Sequence, residues 1–230
     1  MRLNWFIKEP SDGDGMGNLF PADAPGDARA DRTLYLARHG EILKPATGKI
    51  YIGQMDLPLT PQGRIQAENL SEQLADARLC AIYTSDLKRC VETARIIARR
   101  QACSPVIFPP LREINLGRWE GLPFETVRKK YPHEYEKRGE NIAEFRPPGG
   151  ESFRDLDRRV ISALKRIFRV TRGDILIVAH AGVNRIILTR AMKRRLKDLF
   201  AIPQTYGGLN LLKFASDPFF IVPIEKHEAR

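Results

Sequence analysis

Cysteine is scarce in this chain of 230 residues: Cys80, Cys90 and Cys103 form an odd set of three with no CxxC pair. Such a set excludes a secreted disulfide scaffold, and buried structural thiols are the expected state. Long apolar runs are missing too. Beyond residue 31 the longest are strand-like segments such as Ile175 to Ala179, far short of the roughly 18 residues that a membrane span requires. The start carries Arg2 but no sustained apolar stretch before Asp12, which argues against a secretory signal and points to the cytoplasm. Histidine is limited to four residues, and no paired His, Asp or Glu spacing of the kind that holds a metal occurs.

Acid is in deficit. Lys+Arg number 38 against 28 Asp+Glu, a net charge of +10 with a pI near 9.7, which favours nucleic acid, an anionic membrane or a phosphorylated small molecule as partner. The cations are scattered as Arg99-Arg100, Arg128-Lys129-Lys130, Arg158-Arg159, Lys165-Arg166 and Lys193-Arg194-Arg195. They read as solvated helix faces rather than as a nucleic-acid surface. The remaining composition, 43% hydrophobic and 29% charged, is that of an ordinary globular chain and excludes collagen, mucin-like stalks and full disorder. The length suits one large domain or two small ones, either able to bury a core without staples.

Residues 1–31 hold Asp12-Gly13-Asp14-Gly15, Gly17, Pro21 and Pro25-Gly26, a density of turn formers that supports neither regular period and predicts a flexible arm. Its apolar residues Trp5, Phe6, Ile7, Leu19 and Phe20 suit docking on the body or on a partner subunit, so a homodimer stays open. From Thr33 the pattern alternates strand and helix. Leu34 to Ala37 reads as a buried strand, and Thr60-Pro61 as a helix cap with proline at the first helical position, the helix running to about Asp76. Cys80 to Thr84 is the next strand, Ser85 the cap of a helix through Ala98, and Val106 to Phe108 a third strand.

The stretch from about 111 to 150, rich in Gly and Pro around short helical pieces, suits a mobile lid or insertion. Its aromatics Trp119, Phe124, Tyr131 and Phe145 either shape the substrate or pack together. Phe153 to Phe168 then gives a long amphipathic helix, Asp174 to Ala179 a fully buried strand, and Gly182 to Met192 another helix. Leu209 to Phe214 and Phe219 to Ile224 would finish the sheet at its edge. The expected fold is α/β, a three-layer α/β/α sandwich with a mostly parallel central sheet over residues 32–230.

In such a fold the ligand sits beyond the carboxyl ends of the strands. Arg38-His39-Gly40 follows the first strand directly, and His180-Ala181-Gly182 follows the late buried strand. Two histidines at one sheet edge, each close to a glycine, are candidates for a site. Histidine is largely neutral near pH 7 and attacks phosphorus without a separate base. A transferring phosphoryl group then calls for fixed guanidinium donors, for which Arg38 is adjacent and Arg89 is one of many arginines. The helix start at Ala181-Gly182 is a candidate anion site. Glu113 follows the third strand and is a candidate acid for the leaving oxygen, the bland alternative being a salt bridge with Arg112.

Four stretches carry a resemblance: Leu36 to Glu41, Tyr83 to Ala94, Leu111-Arg112-Glu113, and Val178 to Gly182. In this order they resemble the histidine phosphatase superfamily, the phosphoglycerate-mutase-like family, over roughly residues 33–215. The resemblance implies that His39 is the phosphorylated nucleophile, that Arg38, Arg89 and His180 hold the phosphoryl group, and that Glu113 donates the proton. It also implies that no metal or cofactor is required. Leu116 to Gly121 and Pro148 to Ser152 are similar to the alpha-ribazole phosphatase and broad phosphatase branch, which implies a phosphorylated small molecule as substrate.

The chain departs from the family where many members have threonine and asparagine after Arg-His-Gly. It has Ile42 and Pro45, which donate nothing to phosphate, so Thr47, Gln54 or a backbone amide between Lys49 and Met55 is the candidate replacement. Hydrolysis through phosphohistidine is the expected activity. A mutase and a catalytically silent binding module are the alternatives, the latter needing none of these site residues.

Overall fold

A computed structural model of the chain describes residues 32–45, 47–214 and 222–223. The arm expected over 1–31 and most of the strand expected over 219–224 lie outside the described residues. The strands are β1 (Arg32–Arg38), β2 (Leu79–Thr84), β3 (Pro105–Ile107), β4 (Asp174–Ala179), β5 (Leu209–Phe214) and β6 (Val222–Pro223). They pair in the order β3-β2-β4-β1-β5-β6. β1 to β4 run parallel, while β5 is antiparallel to β1 and β6 to β5. The sheet is thus mostly parallel, with an antiparallel edge.

β4 sits between β1 and β2, and its DILIVA sequence has no polar residue after Asp174 because both of its faces are covered. Ile175, Ile177 and Ala179 face one layer of helices, α5 (Phe153–Val170) and α6 (Ala181–Ala191). Leu176 and Val178 alternate to the other face, against α1 (Pro61–Gln73) and α2 (Lys88–Ala98). Three layers result, as the alternation of elements predicts.

Local chemistry explains the helix ends. Thr60 Oγ1 accepts the Gly63 N–H at 2.9 Å, and Pro61 opens α1 where its missing N–H costs nothing. The helix stops at Gln73 rather than near Asp76, because Leu74 is fully buried and the following turn returns the chain to β2. Ser152 and Asp155 cap α5 reciprocally, each side chain bonding the other residue's backbone N–H. α5 turns Phe153, Leu156, Val160, Leu164, Ile167 and Phe168 to the sheet, a seam in which truncating one leucine to alanine costs about 2–5 kcal/mol. The buried Asp157 of α5 pairs with Arg190 in the last turn of α6 and ties the two helices together.

Two expectations are corrected. Ser85 is not the cap residue of α2, which is Leu87: Ser85 Oγ accepts the Leu87 N–H at 3.3 Å and also bonds to His180. The thiols are not uniformly buried, since Cys90 is buried, Cys103 half-buried and Cys80 exposed at an irregularity in the β2–β4 register.

Between β3 and α5 the chain makes turns of 3-10 helix at Pro109–Leu111 and Gly117–Trp119, then α3 (Phe124–Lys130) and α4 (Pro132–Glu140). Its aromatics pack on one another: Trp119 is fully buried, 5.3 Å from Phe145 and 5.2 Å from Tyr51, whose ring stacks on Phe124 at 4.0 Å.

The start of α1 presses on the turn after β1. A Cβ on Gly40 would lie 2.1 Å from the Gly63 carbonyl oxygen, and one on Gly63 would lie 2.2 Å from that of Glu41. Backbone cannot give way as a side chain does. Gly63→Ala is expected to lower stability by about 1–3 kcal/mol, read from the urea midpoint, and an unchanged midpoint would show that the contact yields freely.

Candidate active site

β1 ends at Arg38, and the next residues are stitched to both neighbouring strands. Arg38 N–H donates to the Gly208 carbonyl at 2.9 Å, His39 N–H to Ala179 at 3.1 Å, and Gly207 N–H to His39 at 3.1 Å. The His39 ring is buried and its Nδ1 lies 2.7 Å from the Gly40 carbonyl. A carbonyl only accepts, so Nδ1 carries the proton and Nε2 keeps a free lone pair.

His180 caps the N-terminus of α6 and is fully buried. Arg89 Nε donates to its Nδ1 at 3.2 Å, so its proton sits on Nε2, which donates to Ser85 Oγ at 2.9 Å. The two imidazoles meet edge to face, with ring centres 5.2 Å apart. Burial holds both well below their ordinary 6.5, reinforced by the guanidiniums of Arg89 and Arg38. Cys90 Sγ lies 3.4 Å from His180 Nε2, and burial pushes this thiol up, so it stays neutral.

Arg89, in the first turn of α2, is fixed by backbone: its terminal nitrogens donate to the carbonyls of Met55 and Gly53. Arg38 donates Nη1 to the Gln204 carbonyl at 2.6 Å, and its guanidinium stacks 3.9 Å from the centre of the Tyr206 ring. Its Nε is buried without a partner among the described residues. Such an orphan beside a neutral histidine is what an absent anion would satisfy.

Glu113 is locked in place. Its Oε2 accepts the Gly182 N–H and its Oε1 the Ile114 N–H, both at 2.9 Å. A Cβ at 182 would stand 2.2 Å from Oε1, so only glycine lets the carboxylate reach this helix start. The salt bridge weighed for Glu113 does not form, because Arg112 pairs with Asp86. The Glu113 carbonyl accepts from Gln54 Nε2 at 2.8 Å and from Arg159 Nη2 at 3.2 Å. Arg159 also holds the Pro110 and Arg112 carbonyls and the Glu151 carboxylate. It is a fastener of the segment carrying Glu113 rather than the solvated cation its place in a charge pair suggests.

His39, His180, Arg38, Arg89 and Glu113 are therefore brought together at the carboxyl edge of the sheet. Ala181 opens α6 directly after His180. Gln54 comes close, but its amide is occupied by the Glu113 backbone and its N–H by Glu120. Thr47 is exposed, while Ile42 is buried in a bridge with Leu59. Sequence reasoning missed Tyr206, which packs 5.6 Å from the His39 ring, and Thr93, whose Oγ1 accepts the Gly40 N–H at 3.2 Å. For Tyr206 the available signal was an aromatic just ahead of Gly207-Gly208. Among the described residues no cluster of three His, Cys, Asp or Glu is arranged to hold a metal, and no helix is long and apolar enough to cross a membrane.

The model of the histidine phosphatase superfamily (branch 1) matches residues 34–226. The chain belongs to this superfamily. A relative from Arabidopsis thaliana, named metal-independent phosphoserine phosphatase, is 38% identical over 162 residues, covering 68% of this chain and 67% of that protein. A probable phosphoglycerate mutase of Yersinia pestis is 36% identical over 149 residues, covering 64% of this chain and 68% of its own length. Among solved structures, the alpha-ribazole phosphatase from Shigella flexneri aligns with a TM-score of 0.73 at 26% identity, over 84% of this chain and 94% of that one. The fold is that of the superfamily, and the names of these members divide between phosphatase and mutase.

Both site histidines are neutral in the folded superfamily domain and charge when it unfolds. Below pH 6.5 the unfolded chain therefore binds more protons, so stability falls as pH drops from about 7 through 6.5 and on toward the lowered folded values. Urea midpoints at pH 7.5 and 5.5 are expected to show this drop, with a shallower slope in His180→Asn. A flat profile would mean that the rings are not held neutral.

Proposed function

We propose that the protein is a metal-independent phosphomonoesterase acting on a phosphorylated small molecule through phospho-His39. The observation that carries this reading is the His39 tautomer: Nδ1–H is held by the Gly40 carbonyl, leaving Nε2 as a neutral nucleophile among cations. His39 Nε2 attacks phosphorus and forms the P–N bond as the ester P–O bond breaks, and Glu113 gives its proton to the departing oxygen. Water then attacks phosphorus, Glu113 takes its proton, the P–N bond breaks and inorganic phosphate leaves. Arg38 and Arg89 stabilise charge on the phosphoryl oxygens, and His180 donates through Nε2 once substrate displaces Ser85.

The Arabidopsis relative named a metal-independent phosphatase and the Shigella alpha-ribazole phosphatase support hydrolysis. The Yersinia relative favours a second reading, in which the phosphoryl group returns to another hydroxyl of a small acid.

The test is phosphate release from a panel of phosphomonoesters with a chelator present. Wild type is expected to release phosphate, and His39→Ala to lose at least about a thousandfold in rate. Rapid acid-free quenching should trap acid-labile phosphate on the wild type alone. Chelator-sensitive release would sink the metal-free mechanism, and isomer exchange without net release would turn the assignment to the mutase reading.

A further inference from the structure

The residue after His39 is a glycine because α1 packs against it: a Cβ on Gly40 would stand 2.1 Å from the Gly63 carbonyl oxygen. Lacking a side chain, glycine does not fix the direction of its own carbonyl. Yet the His39 ring depends on that carbonyl, which lies 2.7 Å from Nδ1. A histidine that forms a P–N bond at Nε2 becomes an imidazolium, and its Nδ1–H bond strengthens as positive charge develops. Burial, then Arg89 and Arg38, oppose positive charge on this ring, whereas the Gly40 carbonyl favours it. The aim of one carbonyl therefore bears on both the tautomer and the charged form of the ring.

Both peptide units flanking Gly40 are fully paired. In the first, the His39 carbonyl accepts the Gly207 N–H at 3.1 Å, and the Gly40 N–H donates to Thr93 Oγ1 at 3.2 Å. In the second, the Gly40 carbonyl meets His39 Nδ1, and the Glu41 N–H donates to Gln66 Oε1 at 2.8 Å. Two of these partners are side chains, Thr93 from α2 and Gln66 from α1. Thr93 is fully buried, and its hydroxyl donates to the Arg89 carbonyl at 2.8 Å, which leaves a lone pair for the Gly40 N–H. The same hydroxyl thus joins the peptide after His39 to the helical turn that carries Arg89. Gln66 is pinned as well: a Cβ on Gly207 would stand 2.8 Å from Gln66 Cβ, so its stem packs against the residue that holds the His39 carbonyl.

We propose that Thr93 and Gln66 are positioning residues for phosphoryl transfer: by fixing the peptide planes on either side of Gly40, they aim its carbonyl at His39 Nδ1 and so hold Nε2 as the attacking atom. This deepens the phosphatase reading and rests on it. Both residues act through a backbone carbonyl rather than on the substrate. Removing either acceptor leaves an N–H that seeks another partner, and the pliable turn at Gly40 follows it.

The test compares, in the full chain, Thr93→Val, which keeps the shape and removes the hydroxyl, with Thr93→Ser, which keeps the hydroxyl. Nitrogen NMR of the histidine rings at neutral pH reads the tautomer directly, the His39 signals being those lost in His39→Ala. Wild type and Thr93→Ser are expected to show a protonated Nδ1 and a bare Nε2, and Thr93→Val a mixture of tautomers. With para-nitrophenyl phosphate as probe, kcat is expected to fall about ten- to a hundredfold in Thr93→Val and to recover in Thr93→Ser. Calorimetric affinity for inorganic phosphate, which reads the arginines, is expected to stay within about twofold throughout. If Thr93→Val does not fold, Gln66→Met, at a half-buried position, decides by the same three readouts. A single Nδ1–H tautomer in both variants that lack the acceptor, equal rate losses in Thr93→Ser and Thr93→Val, or a loss of phosphate affinity as large as the loss of rate would each overturn the proposal. Absence of nitrophenol release by wild type counts against the phosphatase reading, while the tautomers still decide the positioning role.

Discussion

A buried cation without a carboxylate is the constraint on which the rest of the structure depends. Arg89 is 1% exposed, and its N–H groups are met by two backbone carbonyls and one imidazole nitrogen. Dipoles satisfy hydrogen bonds without cancelling charge, so the guanidinium keeps its full attraction for an anion. Aiming two carbonyls inward requires the chain to turn at Gly53, whose φ of 51° lies in the left-handed region. There a Cβ would stand 2.3 Å from Glu120 Oε1, which accepts the Gln54 and Leu116 N–H groups. Glu120 in turn follows the buried Trp119 under Tyr51. The aromatic segment thus braces the turn whose carbonyls hold Arg89.

The two histidines show the same use of unambiguous neighbours. A carbonyl fixes one tautomer and a guanidinium the other, so the rings hold their protons on opposite nitrogens. Neither needs a carboxylate to orient it. That choice leaves Glu113, tied to the start of α6, as the one carboxyl group of the candidate set.

Much of this was legible in the sequence, for identifiable reasons. The apolar run of β4 and the Thr60-Pro61 cap report local requirements, and they emerged close to where the residues placed them. His39, His180 and Glu113 each directly follow a strand or the turn after it, so topology alone takes them to one edge. Arg89 was ambiguous among 38 basic residues, since what distinguishes it is a pair of carbonyls far away in sequence. Ser85 reads as a helix cap because serine suits that place, and only the approach of His180 reveals its other partner. Tyr206 and Arg159 act through contacts that no local spacing encodes.

The sheet order carries one more consequence. The strand leading into His39 has no neighbour close in sequence: Leu34 pairs with Ile175 on one side and with Leu212 on the other. Contacts of such separation must be closed before they stabilise anything, which slows folding. On the ribosome, the Arg38-His39 turn emerges early and waits while nearly the whole domain is synthesised. Its partners Ala179, Gly207 and Gly208 all come from the last part. His39 therefore lacks these backbone partners until the sheet closes, and a nascent chain does not assemble the candidate site before then.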